Sequence, residues 1–190
     1  MTKRKIKPLP GPEATRAEIE AWEIDSGLRK RPVEIMPRIP APPGDLDPPL
    51  PDRALCISLW EPYASLVVTG VDGRRKTLET RKWEWPYPPS WLVIHAAKHV
   101  DLGACKRLGL RTTGYPTGSL LGLVYVAGPS RPLIPEDEEE ACFYEPGRFA
   151  WPLDPGRARP FARPVPIPRG PQKFVYLPRT DVLRHLRGGQ

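Results

Sequence analysis

The run Gly70-Val71-Asp72-Gly73-Arg74-Arg75-Lys76-Thr77-Leu78-Glu79-Thr80-Arg81 opens on a glycine-punctuated turn and passes into residues that read as a strand. The prediction is a strand from Lys76 or Thr77 to Tyr87. Alternate side chains of an extended chain share a face, so Thr77, Glu79, Arg81, Trp83, Trp85 and Tyr87 project to one side and Leu78, Thr80 and Lys82 to the other. Charge and flat aromatic rings therefore line one surface.

The segments around this run set the fold class. Before it, Ala54 to Leu59 reads as a strand, and Pro62 to Thr69 as a helix with proline in its first turn and Gly70 as its C-terminal cap. After it come predicted strands at Ser90 to Ala96 and at Ser119 to Ala127, the second with Gly122 as a bulge, and a short helix at Asp101 to Leu108. Further strands are expected at Arg148 to Leu153, Phe161 to Ile167 and Lys173 to Leu177, and a helix at Thr180 to Leu186. Short apolar runs between Pro/Gly turns predict a mainly β chain with flanking helices, an α+β arrangement built on a small β-barrel.

Residues 1–52 read differently. They hold eleven prolines, in KPLPGP, PRIPAPP and DPPLP, and cannot build a continuous core. One helix is expected within them, Pro12 to Leu28, and its Trp22 favours docking on the domain or on a protein partner. The division is thus a proline-rich extension, 1–52, and one β domain, 53–190. No apolar run reaches the length of a membrane span, and the basic start TKRKIK leads into PLPGPEATR rather than a signal core. A cytoplasmic protein is expected, with Cys56, Cys105 and Cys142 as reduced thiols. Absent Asn, two Gln and 28 Pro are the bias of a thermophile or of a GC-rich genome.

The formal charge of +7 is unevenly placed. Residues 1–52 hold nine Lys/Arg and nine Asp/Glu, and residues 53–145 eleven of each. The last 45 residues, with nine Lys/Arg against Asp154 and Asp181, carry all the excess. Such a segment favours a polyanion, RNA or a nucleotide, with Arg157, Arg159, Arg163, Arg169 and Lys173 as phosphate contacts. A solvated, arginine-rich surface without a ligand is the competing reading.

The charged strand face supports two chemistries and one structural alternative. As a binding pocket, Glu79 and Arg81 form the floor, and Trp60, Tyr63, Trp83 and Trp85 the walls against which a base stacks. Lys76 leans over from the turn, and His95 and Lys98 border the pocket. As an enzyme, a metal-independent hydrolase, Lys76 or Glu79 activates water while Arg81 or Lys98 steadies the oxyanion. Neighbouring Arg74, Arg75 and Arg81 push the Lys76 amine down and Glu79 opposes them. The alternative is a buried Glu79–Arg81 pair with the tryptophans filling a small core.

Ser58-Leu59-Trp60-Glu61-Pro62-Tyr63-Ala64, then Gly70 and Lys76-Thr77-Leu78-Glu79-Thr80-Arg81, resembles the signature of the ASCH (activating signal cointegrator homology) family: a proline-started helix, then G-x-K-x-x-E-x-R. Further matches follow in the family's order, at Ile94 to Lys98, Gly118 to Gly122, Gly147 to Trp151, and Pro166-Ile167 through Gly170 to Phe174. They cover roughly residues 54–178. The resemblance implies a PUA-like β-barrel and roles in RNA binding, RNA metabolism or transcription coactivation. Some branches are associated with ribonuclease activity or amide hydrolysis on modified cytidines. Two departures stand out. The spacer between Gly70 and Lys76 is enlarged by Asp72-Gly73-Arg74-Arg75, and Glu79 stands where the amidohydrolase branch has a threonine nucleophile. Thr77 is the nearest hydroxyl on the same face.

No metal or cofactor is expected. His95 and His99 lie four apart, but Cys105 and Cys142 lack paired C-x-x-C spacing. The acidic run Glu136 to Glu140 reads as a solvated face, because consecutive carboxylates diverge on any regular element.

Overall fold

The computed structural model describes residues 46–167 and 174–188. The expected helix at Pro12 to Leu28, the partner-binding arm around it, and Arg169 and Lys173 lie outside those residues. Among the described residues seven strands and four α-helices follow in order, with one 3-10 turn at Pro135–Asp137: β1 (Arg53–Glu61), α1 (Tyr63–Val68), β2 (Leu78–Arg81), β3 (Ser90–Val100), α2 (Leu102–Leu108), β4 (Ser119–Val126), β5 (Arg131–Pro132), α3 (Glu138–Ala141), β6 (Phe149–Pro166), β7 (Val175–Pro178) and α4 (Arg179–Leu186). Among them no helix is long and apolar enough to cross a membrane.

The strands pair in the order β2-β6-β4-β3-β1-β7, with β5 also on β6. This is one mixed sheet with β2 and β7 at its ends; no ladder among the described residues joins them into the closed barrel expected above. The centre is the parallel pair β1 and β3, and the other ladders are antiparallel. Near-continuous apolar runs in β1, β3 and β4 are explained by burial on both faces. Leu55, Ile57 and Leu59 join Leu92, Ile94 and Val124 under Val67 and Val68 of α1. Ala54 and Cys56 join Trp91, Val93 and Leu123 on the opposite face, under Val182 and Leu186 of α4. Leu50 is buried in that second cluster, and the carbonyl of Pro48 accepts from the Trp91 indole at 2.6 Å. Residues just before β1 therefore pack on the domain.

Two predicted strands prove to be one. β6 runs eighteen residues, through Pro152, Pro155 and Pro160. Its pairing with β4 slips between Leu123 and Tyr125 and again between Leu120 and Gly122. These slips take up the prolines, which cannot donate to a ladder. At the second slip the strands come so close that a Cβ on Gly122 would lie 2.5 Å from the Arg159 carbonyl oxygen. Only glycine fits there.

The run that opened the sequence also departs from its prediction. β2 ends at Arg81 rather than Tyr87, because Arg81 pairs with Phe149, the first residue of β6, and no partner strand among the described residues continues beyond it. The enlarged spacer before it folds back on itself. Asp72 and Gly73 have φ of 48° and 79°, and Val71 and Arg74 exchange both backbone hydrogen bonds, 2.9 and 2.8 Å. An Asp-Gly pair with two positive φ values makes the tight turn preferred in hairpins. The Lys76 N–H then bonds the Leu66 carbonyl at 3.2 Å, anchoring β2 to α1.

Candidate functional site

Where β1 and β3 reach their C-terminal ends, a cleft of about 740 Å³ opens between β2, α1 and the segments around Gly118 and Phe143. Strand alternation carries Ser58 and Trp60 of β1, and His95 and Ala97 of β3, to it, in line with Ala54, Cys56, Trp91 and Val93 further back. From β2 come Glu79, Arg81 and also Thr80, which strand parity had put on the opposite face, and from the turn before it Lys76. Tyr63, Lys98, Asp101 and Arg148 complete the polar lining.

The charged floor is closely knit. Lys76 is only 3 % exposed, and its ammonium donates to the carbonyls of Leu78 and Ala141 at 2.5 and 2.6 Å and stands 3.6 Å from Glu79 Oε2. Glu79 Oε1 lies 3.0 Å from Arg81 Nε, and Arg81 Nη2 donates to the Ser58 carbonyl at 3.0 Å. Burial pulls the Lys76 pKa down, and the Glu79 carboxylate opposes it. Two carbonyl hydrogen bonds and one ion pair hold this group in place. Lys76 thereby ties the start of β2 to the end of α3. Each Glu79 oxygen likewise faces a cation.

Arg148, which the sequence reading did not select, lines the cleft from just before β6. It donates to Glu145 at 2.7 Å and to the Thr80 carbonyl at 3.0 Å, and its guanidinium sits over the Phe143 ring. Asp101 lines the cleft and caps α2, accepting from the Ala104 N–H at 2.8 Å. Lys98 is exposed, and it has no hydrogen bond or ion pair among the described residues. Its stem crosses Gly118, where an added Cβ would meet it at 3.4 Å.

The aromatic residues divide. Trp60, 55 % exposed, lines the cleft and meets His99 edge-on at 4.4 Å; Tyr63 lines it with its hydroxyl accepting from Arg107. Trp85, expected as a wall, is core: 5 % exposed, it packs on Trp151 at 5.0 Å, Tyr87 at 5.3 Å and Phe174 at 5.8 Å. Alternation fails to carry it to the cleft because the strand has already ended at Arg81. Trp83, also expected as a wall, lies outside the cleft lining, against Trp151 and beneath the Arg81 guanidinium at 5.5 Å. Thr77 bonds Glu140 at 3.2 Å, away from the cleft.

His95 is buried; its Nδ1 is 2.8 Å from Ser58 Oγ, and its Nε2 is buried without a partner among the described residues. Burial lowers its pKa. On β6, Arg157 pairs with Asp154 at 3.4 Å and covers the Tyr125 ring, Arg159 donates to the carbonyls of Gly156 and Ala158, and Arg163 is exposed. None of the three lines the cleft. Among the described residues no three His, Cys, Asp or Glu side chains are grouped to hold a metal ion. In the acidic run, Asp137 pairs with Arg131 at 2.6 Å.

No family model matches the chain, and no curated protein matches it. A search of solved structures returns the crystal structure of a mutant ZmASCH protein from Zymomonas mobilis, 18 % identical, covering 74 % of this chain and 100 % of that one, with a TM-score of 0.44. It bears the name of the family that the sequence motifs resemble.

Proposed function

We propose that the cleft binds a nucleotide of single-stranded RNA, with the base against Trp60, Tyr63 and Phe143 and the phosphate met by Lys98 and Arg81. The observation that carries this reading is an imbalance of unengaged groups. Four cations, Lys76, Arg81, Lys98 and Arg148, line the cleft against two carboxylates, Glu79 and Asp101. Both carboxylates are engaged inside the protein, while Lys98 has no partner among the described residues. A cleft whose acceptors are occupied while a cation stands open favours a ligand rich in acceptors and negative charge. Neighbouring aromatic side chains add a platform that stacks any base, worth about 1–3 kcal/mol per base. The resemblance to an RNA-associated family agrees with this reading. Arg163, with Arg169 and Lys173 beyond the described residues, would extend the phosphate track.

Anisotropy of a fluorescein-labelled single-stranded RNA ten-mer tests it. Lys98→Ala is expected to weaken binding about tenfold and to flatten its dependence on salt by about one counterion. Absence of binding by the wild-type protein at low salt would sink the reading.

A further inference from the structure

We propose that Ser58 and His95 form a nucleophile and base pair acting on O-acyl esters, with an aromatic, anionic alcohol such as a nucleotide as the leaving group. The sheet itself builds the pair. Ser58 and His95 are register partners on the parallel strands β1 and β3, so their side chains leave the same face at the same level. The hydroxyl and Nδ1 are 2.8 Å apart, and both residues line the cleft. Unlike Lys76 and Glu79, Ser58 is only partly buried, and its hydroxyl has no hydrogen bond among the described residues beyond the imidazole.

Burial lowers the His95 pKa, which keeps the imidazole neutral and able to accept a proton at pH 7. Ser58 Oγ would attack the acyl carbon as its proton passes to Nδ1. The resulting oxyanion develops in a cleft lined by Arg81 and Lys98. Its collapse breaks the bond to the alcohol, which leaves with the proton held on Nδ1. Water then repeats the sequence on the acyl-serine, releasing a carboxylic acid and restoring the hydroxyl. Nε2 has no partner among the described residues, so none of their carboxylates steadies the imidazolium from that side. Loss of that third group costs a full triad about 10⁴ in turnover. The expected chemistry is therefore ready acylation by activated reagents with slow release.

The pairing stands without the nucleotide reading; only the identity of the alcohol rests on it. The test is labelling of the full chain with a fluorophosphonate probe and peptide mapping, with RNA anisotropy run in parallel. Wild type is expected to label at Ser58, Ser58→Ala not at all, and His95→Gln about 100-fold more slowly. Because Cys56, Cys105 and Cys142 are buried, Ser58→Cys provides a second route. Its iodoacetamide alkylation should be fast and should slow when His95→Gln is added. No labelling of wild type, labelling that persists in Ser58→Ala, or alkylation indifferent to His95 overturns the pair. Labelling at Ser58 without RNA binding keeps the pair and rejects the nucleotide as its alcohol.

Discussion

In the cleft, Lys76, Glu79 and Arg81 lie within one buried cluster, whereas on β6 Arg157 and Arg159 sit half-buried at the surface beside Asp154 and backbone carbonyls. Both regions would score as charged in any count of residues. They differ in what water can do for each group. At the surface a lost partner is replaced by solvent, and an ion pair is worth little. In the cleft floor Lys76 and Glu79 are 3 % and 5 % exposed, so each depends on its partners for its charge to be tolerated.

The largest expected effect breaks the buried cluster. Glu79→Ala leaves Lys76 and Arg81 without a counter-ion and should cost about 3–5 kcal/mol in urea unfolding. A loss under about 1 kcal/mol would show that water reaches the floor and would erase the contrast with β6. Next comes the cation of the cleft that is unengaged among the described residues: Lys98→Ala should lower RNA affinity about tenfold, near 1.4 kcal/mol, with the melting temperature unchanged. A third test uses pH. Burial lowers the folded pKa of His95 below its unfolded value near 6.5. The unfolded chain then takes up a proton that the folded one refuses, so stability falls as pH drops below about 6.5 and levels off below the folded pKa. Relative to His95→Gln, wild type should lose about 1.4 kcal/mol per unit of lowering, read from unfolding at about pH 7.5 and 5. The smallest effect is on β6, where Arg157→Ala should cost under about 1 kcal/mol, read by the same unfolding assay. A larger loss would mean that its contact with the Tyr125 ring is structural.

Legibility followed locality. The helix α1 between Pro62 and Gly70, the short helix that starts at Asp101, the bulge at Gly122 and the placing of Glu79 and Arg81 on one face were all readable from residues within a few positions. Arg148 and the Ser58–His95 contact were not selected as site features. They arise from residues that are 67 and 37 positions away from Arg81 and Ser58 in the chain, brought together by the sheet.

The sequence by itself determined that the chain is mainly β, which short apolar runs become strands, and where the helices after Pro62 and Asp101 begin. Only the tertiary structure decided that β6 is continuous, that the described sheet is open, that Trp85 belongs to the core and that Lys76 is buried against two carbonyls. The physical reason is that backbone periodicity is set by neighbours in the chain. Whether a charge or an indole meets water is set by whatever distant segment packs against it.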